Sequence, residues 1–127
     1  MRSKYRNRKV KLLTGEVFDS QHEYQRWNEL LVLEKAGKIQ GLLRQVKFEL
    51  IPAQVETYER ISEKTGRRLQ DGRRVIEQAV SYVADFVYWK DGQMVVEDAK
   101  SEATRTEGYI IKRKLMLARH GIRVREV

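Results

Sequence analysis

Residues 82–100 read YVADFVYWKDGQMVVEDAK, and the fold follows from them. Tyr82 to Trp89 are mostly aromatic and β-branched, the residue types that suit a pleated, half-buried surface. Lys90-Asp91-Gly92-Gln93 then supplies what a two-residue type I′ turn demands, because both central residues need positive φ. Met94 to Lys100 is the returning strand. With Asp91 and Gly92 at the centre, Lys90 pairs with Gln93, Trp89 with Met94, Val87 with Val96 and Asp85 with Asp98. Directly opposed residues share a face, with Cβ atoms about 4.5–5.5 Å apart. Lys100, two residues past Asp98, lies on that face diagonal to Asp85, while Glu97 points the other way.

Two opposed aspartates repel each other, and the neighbours of this pair are Val, Trp, Phe and Ala. A divalent cation between them removes the conflict. Mg²⁺ takes one or two carboxylates plus water and substrate phosphates, and Mn²⁺ is the expected substitute. Lys100 beside such a site can orient or deprotonate a water, or neutralise charge on a reacting phosphate. A purely structural Asp–Lys–Asp ion-pair cluster is the competing reading of the same residues.

Working outward, Ser20 and Glu23 form a capping-box pattern, and Tyr24, Trp27, Leu30, Leu31 and Leu33 follow at helical spacing. Gly37 closes that helix, predicted over 20–36. Ahead of it, Thr14-Gly15-Glu16 reads as a turn into Val17-Phe18. Val46 to Leu50 alternates as a strand ended by Pro52, the only proline. Residues 53–80 form a charged excursion, a hairpin or a short helix. On the other side, 107–119 fit a helix with Ile111, Leu115 and Ala118 on one face, closed by His120-Gly121. Residues 122–127 alternate as a last strand. The order α-β-β-β-α-β predicts an α/β (α+β) fold with a mixed central sheet of about four strands flanked by helices.

A chain of 127 residues is one domain's worth, so 1–127 is taken as a single domain. Charged residues make up 35%, which describes a soluble, charge-covered surface. No apolar run is long enough to span a membrane, and the basic N-terminus lacks the apolar segment of a signal peptide, so a cytoplasmic location is expected. With no cysteine there are no disulfides, zinc–thiolate sites or thiol nucleophiles. The net charge of +8 sits at the ends. Residues 1–11 carry six Lys/Arg and no acid, residues 100–127 eight against three, and 12–99 twelve against fifteen. Residues 1–11 read as a flexible basic arm, and such a distribution suits a polyphosphate partner.

The spacing of Asp85 from Asp98-Ala99-Lys100 resembles the D…(D/E)xK signature of the PD-(D/E)xK nuclease superfamily. That superfamily includes restriction enzymes, Holliday-junction resolvases and TnsA-like transposition endonucleases. The segments KYRNRKV, FDSQHEYQR, QVKFELIP, YVADFVY, VVEDAK, YIIKRKLML and GIRVREV also resemble, in order, a family of small phage- and prophage-encoded proteins assigned to it. The likeness spans the chain except roughly 53–76, and Ala84 stands where the signature often has proline.

The resemblance implies a restriction-endonuclease-like core and a metal-dependent DNA endonuclease acting in phage recombination or replication, with branched DNA such as a Holliday junction as favoured substrate. It implies Asp85 and Asp98 as metal ligands, joined by the Ala99 carbonyl, Lys100 as the catalytic lysine, and Glu23 as an acid completing the site. Glu23 also has a local explanation as the capping partner of Ser20. Lys112 and Lys114, with Tyr109 on the same helix, are candidates for phosphate contact, and Arg2, Lys4, Arg6, Arg8 and Lys9 for an arm on DNA. Gln45 could reach the site or DNA; His22 is expected to face solvent or DNA, and His120 to sit at a helix end. A resolvase cuts two strands symmetrically, which implies a homodimer. The alternatives are a catalytically inactive nucleic-acid-binding module of the same fold and a structural basic protein.

Overall fold

The structure is a computed structural model, and it describes residues 8–127. In chain order the elements are β1 (Val10–Lys11), β2 (Val17–Phe18), α1 (Gln21–Lys35), β3 (Gln40–Ile51), β4 (Gln54–Tyr58), β5 (Gly72–Glu77), β6 (Val80–Lys90), β7 (Gln93–Asp98), a 3₁₀ turn at Glu102–Thr104, α2 (Glu107–His120) and β8 (Arg125–Glu126). Four strands form one sheet in the order β3-β6-β7-β8. β6 and β7 are antiparallel and β7 and β8 parallel, so the expected mixed sheet is present with two helices. Among the described residues no helix is long and apolar enough to cross a membrane.

The β6–β7 hairpin has the register counted from its turn. Lys90 pairs with Gln93, Trp89 with Met94, Val87 with Val96 and Phe86 with Glu97. Asp91 (φ 51°) and Gly92 (φ 76°) are both left-handed, as a type I′ turn requires.

α1 begins where its sequence says. Ser20 is the N-cap, its hydroxyl accepting the Glu23 N–H at 3.1 Å. The return bond is displaced by one residue, since the Glu23 carboxylate accepts from the Asp19 N–H at 3.1 Å. The helix lies on the sheet face that carries Phe86 and Tyr88. Leu30, Ile39, Phe86 and Tyr88 are buried together, with Trp27, Leu42 and Val95 packed around them. Trp27 stacks on Phe86 at 6.0 Å between ring centroids.

Four expectations need correction. The basic arm is shorter than 1–11, because Val10 and Lys11 pair with Phe18 and Val17 across a turn whose Gly15 has φ 95°. Arg2, Lys4 and Arg6 lie outside the described residues, and Arg8 and Lys9 are exposed. The first long strand starts at Gln40 rather than Val46. The last strand is only two residues long, at Arg125–Glu126.

The inward face of α2 also differs. Ile111 and Ala118 are exposed, whereas Tyr109 and Met116 are buried. Apolar periodicity misleads here because Tyr109 and Lys112 face a polar cleft, so the side turned inward is aromatic and basic rather than aliphatic.

The chain divides into two compact units, one of Tyr82–Val127 with the chain up to Phe48, the other of Glu49–Ser81. The second is the charged excursion, and it is a hairpin. β4 and β5 pair antiparallel from Gln54↔Glu77 to Tyr58↔Gly72, with a bulge between Gln54 and Val55, and Ile61 bridges Arg68 nearer the tip.

Candidate active site

The β6–β7 ladder ends at Phe86↔Glu97, one step short of the two aspartates. Beyond it the Asp85 carboxylate accepts the Ala99 N–H at 2.9 Å, a side chain standing in for the next backbone acceptor. Asp98 and Lys100 are fixed from their other edge, because Val127 N–H donates to the Asp98 carbonyl (3.0 Å) and Lys100 N–H to the Val127 carbonyl (3.2 Å). The two acids and the lysine therefore sit on backbone held from both sides.

Asp98 is 2% exposed. Its Oδ2 accepts the Tyr82 hydroxyl. Its Oδ1 lies 3.1 Å from Lys100 Nζ, an ion-pair distance without the alignment of a hydrogen bond, so this buried oxygen has no hydrogen-bond partner. Lys100 Nζ also stands 4.5 Å from the Tyr109 ring centroid. Burial pushes the Tyr82 hydroxyl pKa well up, and the Asp98 charge adds to it, so Tyr82 stays a donor.

Glu23 reaches this cluster from α1 and is itself 3% exposed. Its Oε1 is 3.5 Å from Arg44 Nη2 and 3.3 Å from Gln45 Nε2. Gln45 Nε2 is also 3.2 Å from Asp85 Oδ1, so one amide ties the helix acid to the strand acid. Burial raises the Glu23 pKa, against the lowering effect of the Asp19 N–H.

Gln45 is the residue whose weight the sequence understated. It has φ 52° inside a strand, a conformation rare for a side chain other than glycine and common where function over-determines the backbone. On the same strand Arg44 lies over Phe18 (3.7 Å) and Phe48 meets His120 of α2 (6.1 Å).

Electrostatically the cluster is an excess of acid. Asp85 is raised from 3.8 to about 8, by burial first, then by the Asp98 and Glu23 charges, against the lowering effect of the Ala99 N–H. Folded Asp85 thus keeps a proton that the unfolded chain releases near pH 4. Stability without divalent ions is expected to fall as pH rises through the window from about 4 to about 8. Thermal unfolding in EDTA should show that slope in the wild type and a flatter one in Asp85→Asn; equal slopes would contradict the assignment.

Of the acids, Asp98 borders an open cleft of ≈ 390 Å³ lined also by Tyr82, Val83, Lys100, Thr106, Gly108, Tyr109 and Lys112. Thr106 caps α2 through the Tyr109 N–H, so the positive end of that helix faces the cleft. Lys112 therefore joins Asp98 and Lys100, whereas Lys114 is exposed and does not line the cleft. His22 is held by the Val127 carbonyl at 2.7 Å.

Behind the site, Glu97 is fully buried on the α1 face. Arg26 grips it with Nε to Oε1 at 2.8 Å and Nη2 to Oε2 at 2.7 Å, and the Tyr88 hydroxyl donates to it. Sequence reasoning gave Glu97 the correct face but not its partner, which lies on α1.

Among the described residues no three His, Cys, Asp or Glu side chains are grouped closely enough to enclose a metal ion in this conformation. The donor set nevertheless fits one, since Asp98 Oδ1 is buried with an ion pair but no hydrogen bond, and burial together with the Asp98 and Glu23 charges raises the Asp85 pKa. Hard oxygen donors of this kind select Mg²⁺ or Mn²⁺ over softer ions.

Fold and site together define a mixed α/β protein with a buried carboxylate cluster opening on a basic cleft. The chain belongs to a family of proteins of unknown function, DUF1064, which matches residues 2–126. No curated protein and no solved structure matches it.

Proposed function

We propose that the protein is a Mg²⁺-dependent endodeoxyribonuclease of the PD-(D/E)xK type, with a restriction-endonuclease-like core and with Mn²⁺ able to substitute. The observation that carries this reading is the buried Oδ1 of Asp98, which has the Lys100 ammonium at 3.1 Å but no hydrogen bond, beside an Asp85 whose pKa is raised by burial first and then by the Asp98 and Glu23 charges.

Asp85 and Asp98, with the Ala99 carbonyl, would hold the ion, and Glu23 borders them. When bound, the ion neutralises phosphate charge and lowers the pKa of a water. Hydrolysis joins a water oxygen to phosphorus and breaks one P–O ester bond, leaving one phosphate end and one hydroxyl end. Lys100, with its ammonium at the mouth of the site, orients that water or offsets the charge gathering on phosphorus. Tyr82 fixes the Asp98 carboxylate, and Gln45 fixes Asp85 relative to Glu23.

Lys112 and the capped end of α2 would hold a neighbouring phosphate, near the aromatic wall of Tyr109. Arg2, Lys4, Arg6, Arg8, Lys9 and Lys114 would meet the DNA backbone further out. By resemblance the substrate is branched DNA such as a Holliday junction, cut during phage recombination or replication in the host cytoplasm.

The test is cleavage of supercoiled plasmid and of a synthetic four-way junction. Cutting is expected with Mg²⁺ or Mn²⁺ and none with EDTA. Metal-independent cutting would refute the mechanism, and binding without cutting under either metal would make the protein a DNA-binding module.

A further inference from the structure

Each carboxylate of the cluster is already met by protein donors, and those donors differ in how firmly they are fixed. Glu23 Oε2 accepts the backbone N–H of Asp19, and one Asp85 oxygen, Oδ2, the backbone N–H of Ala99. Asp98 Oδ2 accepts from Tyr82, which is buried. Arg44, 3.5 Å from Glu23 Oε1, is fixed as well, since its guanidinium lies over the Phe18 ring at 3.7 Å and Nη2 donates to the Val17 carbonyl at 3.0 Å. None of these donors can turn away without disturbing the packing around it.

Gln45 is different, because it is exposed. Its single nitrogen Nε2 meets two acids, at 3.2 Å from Asp85 Oδ1 and 3.3 Å from Glu23 Oε1. Both distances lie at or beyond the long end of the usual N–H···O range. The backbone reaches this position with φ 52°, which glycine would adopt freely but without an amide to offer.

The amide does weakly what a cation does strongly. Its N–H groups place partial positive charge between two carboxylates. A divalent ion brings full charges and takes carboxylate oxygens as ligands. Asp85 Oδ2 is committed to the Ala99 N–H, so Oδ1 is the oxygen free of backbone, and Gln45 holds it.

We infer that Gln45 is a positioning residue that keeps the place of a divalent cation: its amide bridges Asp85 and Glu23 and turns off Asp85 Oδ1 when the ion binds. The inference rests on the metal-binding reading above, and its sign is opposite to that of a simple supporting role. Losing a residue that supports a metal ligand weakens metal binding, typically about ten- to a hundred-fold. Losing one that competes with the metal strengthens it.

The experiment titrates Mn²⁺ into wild type, Gln45→Met and Gln45→Gly, with free Mn²⁺ read by electron paramagnetic resonance. Urea midpoints are taken in EDTA and at one Mn²⁺ concentration. Methionine keeps the length of the side chain without its donor, and glycine also relieves the positive φ. Both variants should bind Mn²⁺ about ten-fold more tightly, the net effect of one hydrogen bond to a charged group. By mass action, Mn²⁺ should then raise their urea midpoints more than it raises that of the wild type. Gln45→Met should be less stable than wild type in EDTA, where the two acids face each other unbridged. Equal or weaker Mn²⁺ binding by both variants, beside a wild type that binds, would overturn the inference and leave the metal-binding reading standing. Tighter binding in Gln45→Gly alone would trace the effect to the backbone and also overturn it. A wild type that binds no Mn²⁺ would end both.

Discussion

Asp98→Asn is expected to abolish DNA cleavage while leaving the protein folded. Asparagine keeps the shape of the buried side chain and an oxygen for the Tyr82 hydroxyl, so no cavity results, although its amide nitrogen then faces the Lys100 ammonium. It removes the charge that a divalent ion needs. Metal-assisted stabilisation of a phosphoryl transition state is worth several kcal/mol, so the loss in rate should be roughly a thousand-fold or more. Stability in EDTA should change little, because Asp85 loses the neighbour that repels it while Lys100 loses its ion-pair partner. A single-turnover plasmid assay beside a urea titration reads both. Activity retained in Asp98→Asn would end the mechanism, and activity lost together with stability would favour a structural role for Asp98.

The largest effect on stability is expected at Arg26, which pairs with Glu97 on the α1 face of the sheet. Glu97 is fully buried, and two of its bonds come from the Arg26 guanidinium. Arg26→Ala leaves a buried carboxylate with the Tyr88 hydroxyl as its remaining donor. Removing one partner of a buried pair typically costs about 3–5 kcal/mol, a large share of a domain's total stability of roughly 5–15 kcal/mol. The urea midpoint should fall accordingly with the slope unchanged. Arg26→Ala with Glu97→Leu should recover much of the loss, since both charges are then gone. A single variant within about 0.5 kcal/mol of wild type would mean that the pair is solvated in solution.

Local chemistry explains which parts of the fold could be read from the sequence. The hairpin was legible because Asp91-Gly92 admits one turn type, which fixes every pair up to Phe86↔Glu97. α1 was legible from Ser20, Glu23 and its apolar spacing. The early start of β3 was not, because Gly41 and Gln45 interrupt its pattern, each with positive φ. The face of α2 was misread because Tyr109 and Lys112 turn toward a charged cleft.

Within the site, Asp85, Asp98 and Lys100 could be located by counting along one hairpin. Glu23 needed α1 docked on the sheet before its carboxylate could meet Gln45. Tyr82, Gln45 and the Arg26–Glu97 pair depend on contacts between elements distant in sequence, and no local pattern announces them. The hairpin of the charged excursion was one of two readings open at the Asp71-Gly72 turn, and its pairing is settled only once Val55 and Val75 are seen opposite each other.

The account rests on the two hairpin carboxylates holding a divalent ion. Mn²⁺ binding followed by electron paramagnetic resonance, in wild type and Asp98→Asn at matched protein concentration, tests this without any assumption about the DNA. The account predicts a bound Mn²⁺ in the wild type that Mg²⁺ displaces and that Asp98→Asn loses. Equal Mn²⁺ binding by the two proteins would contradict it.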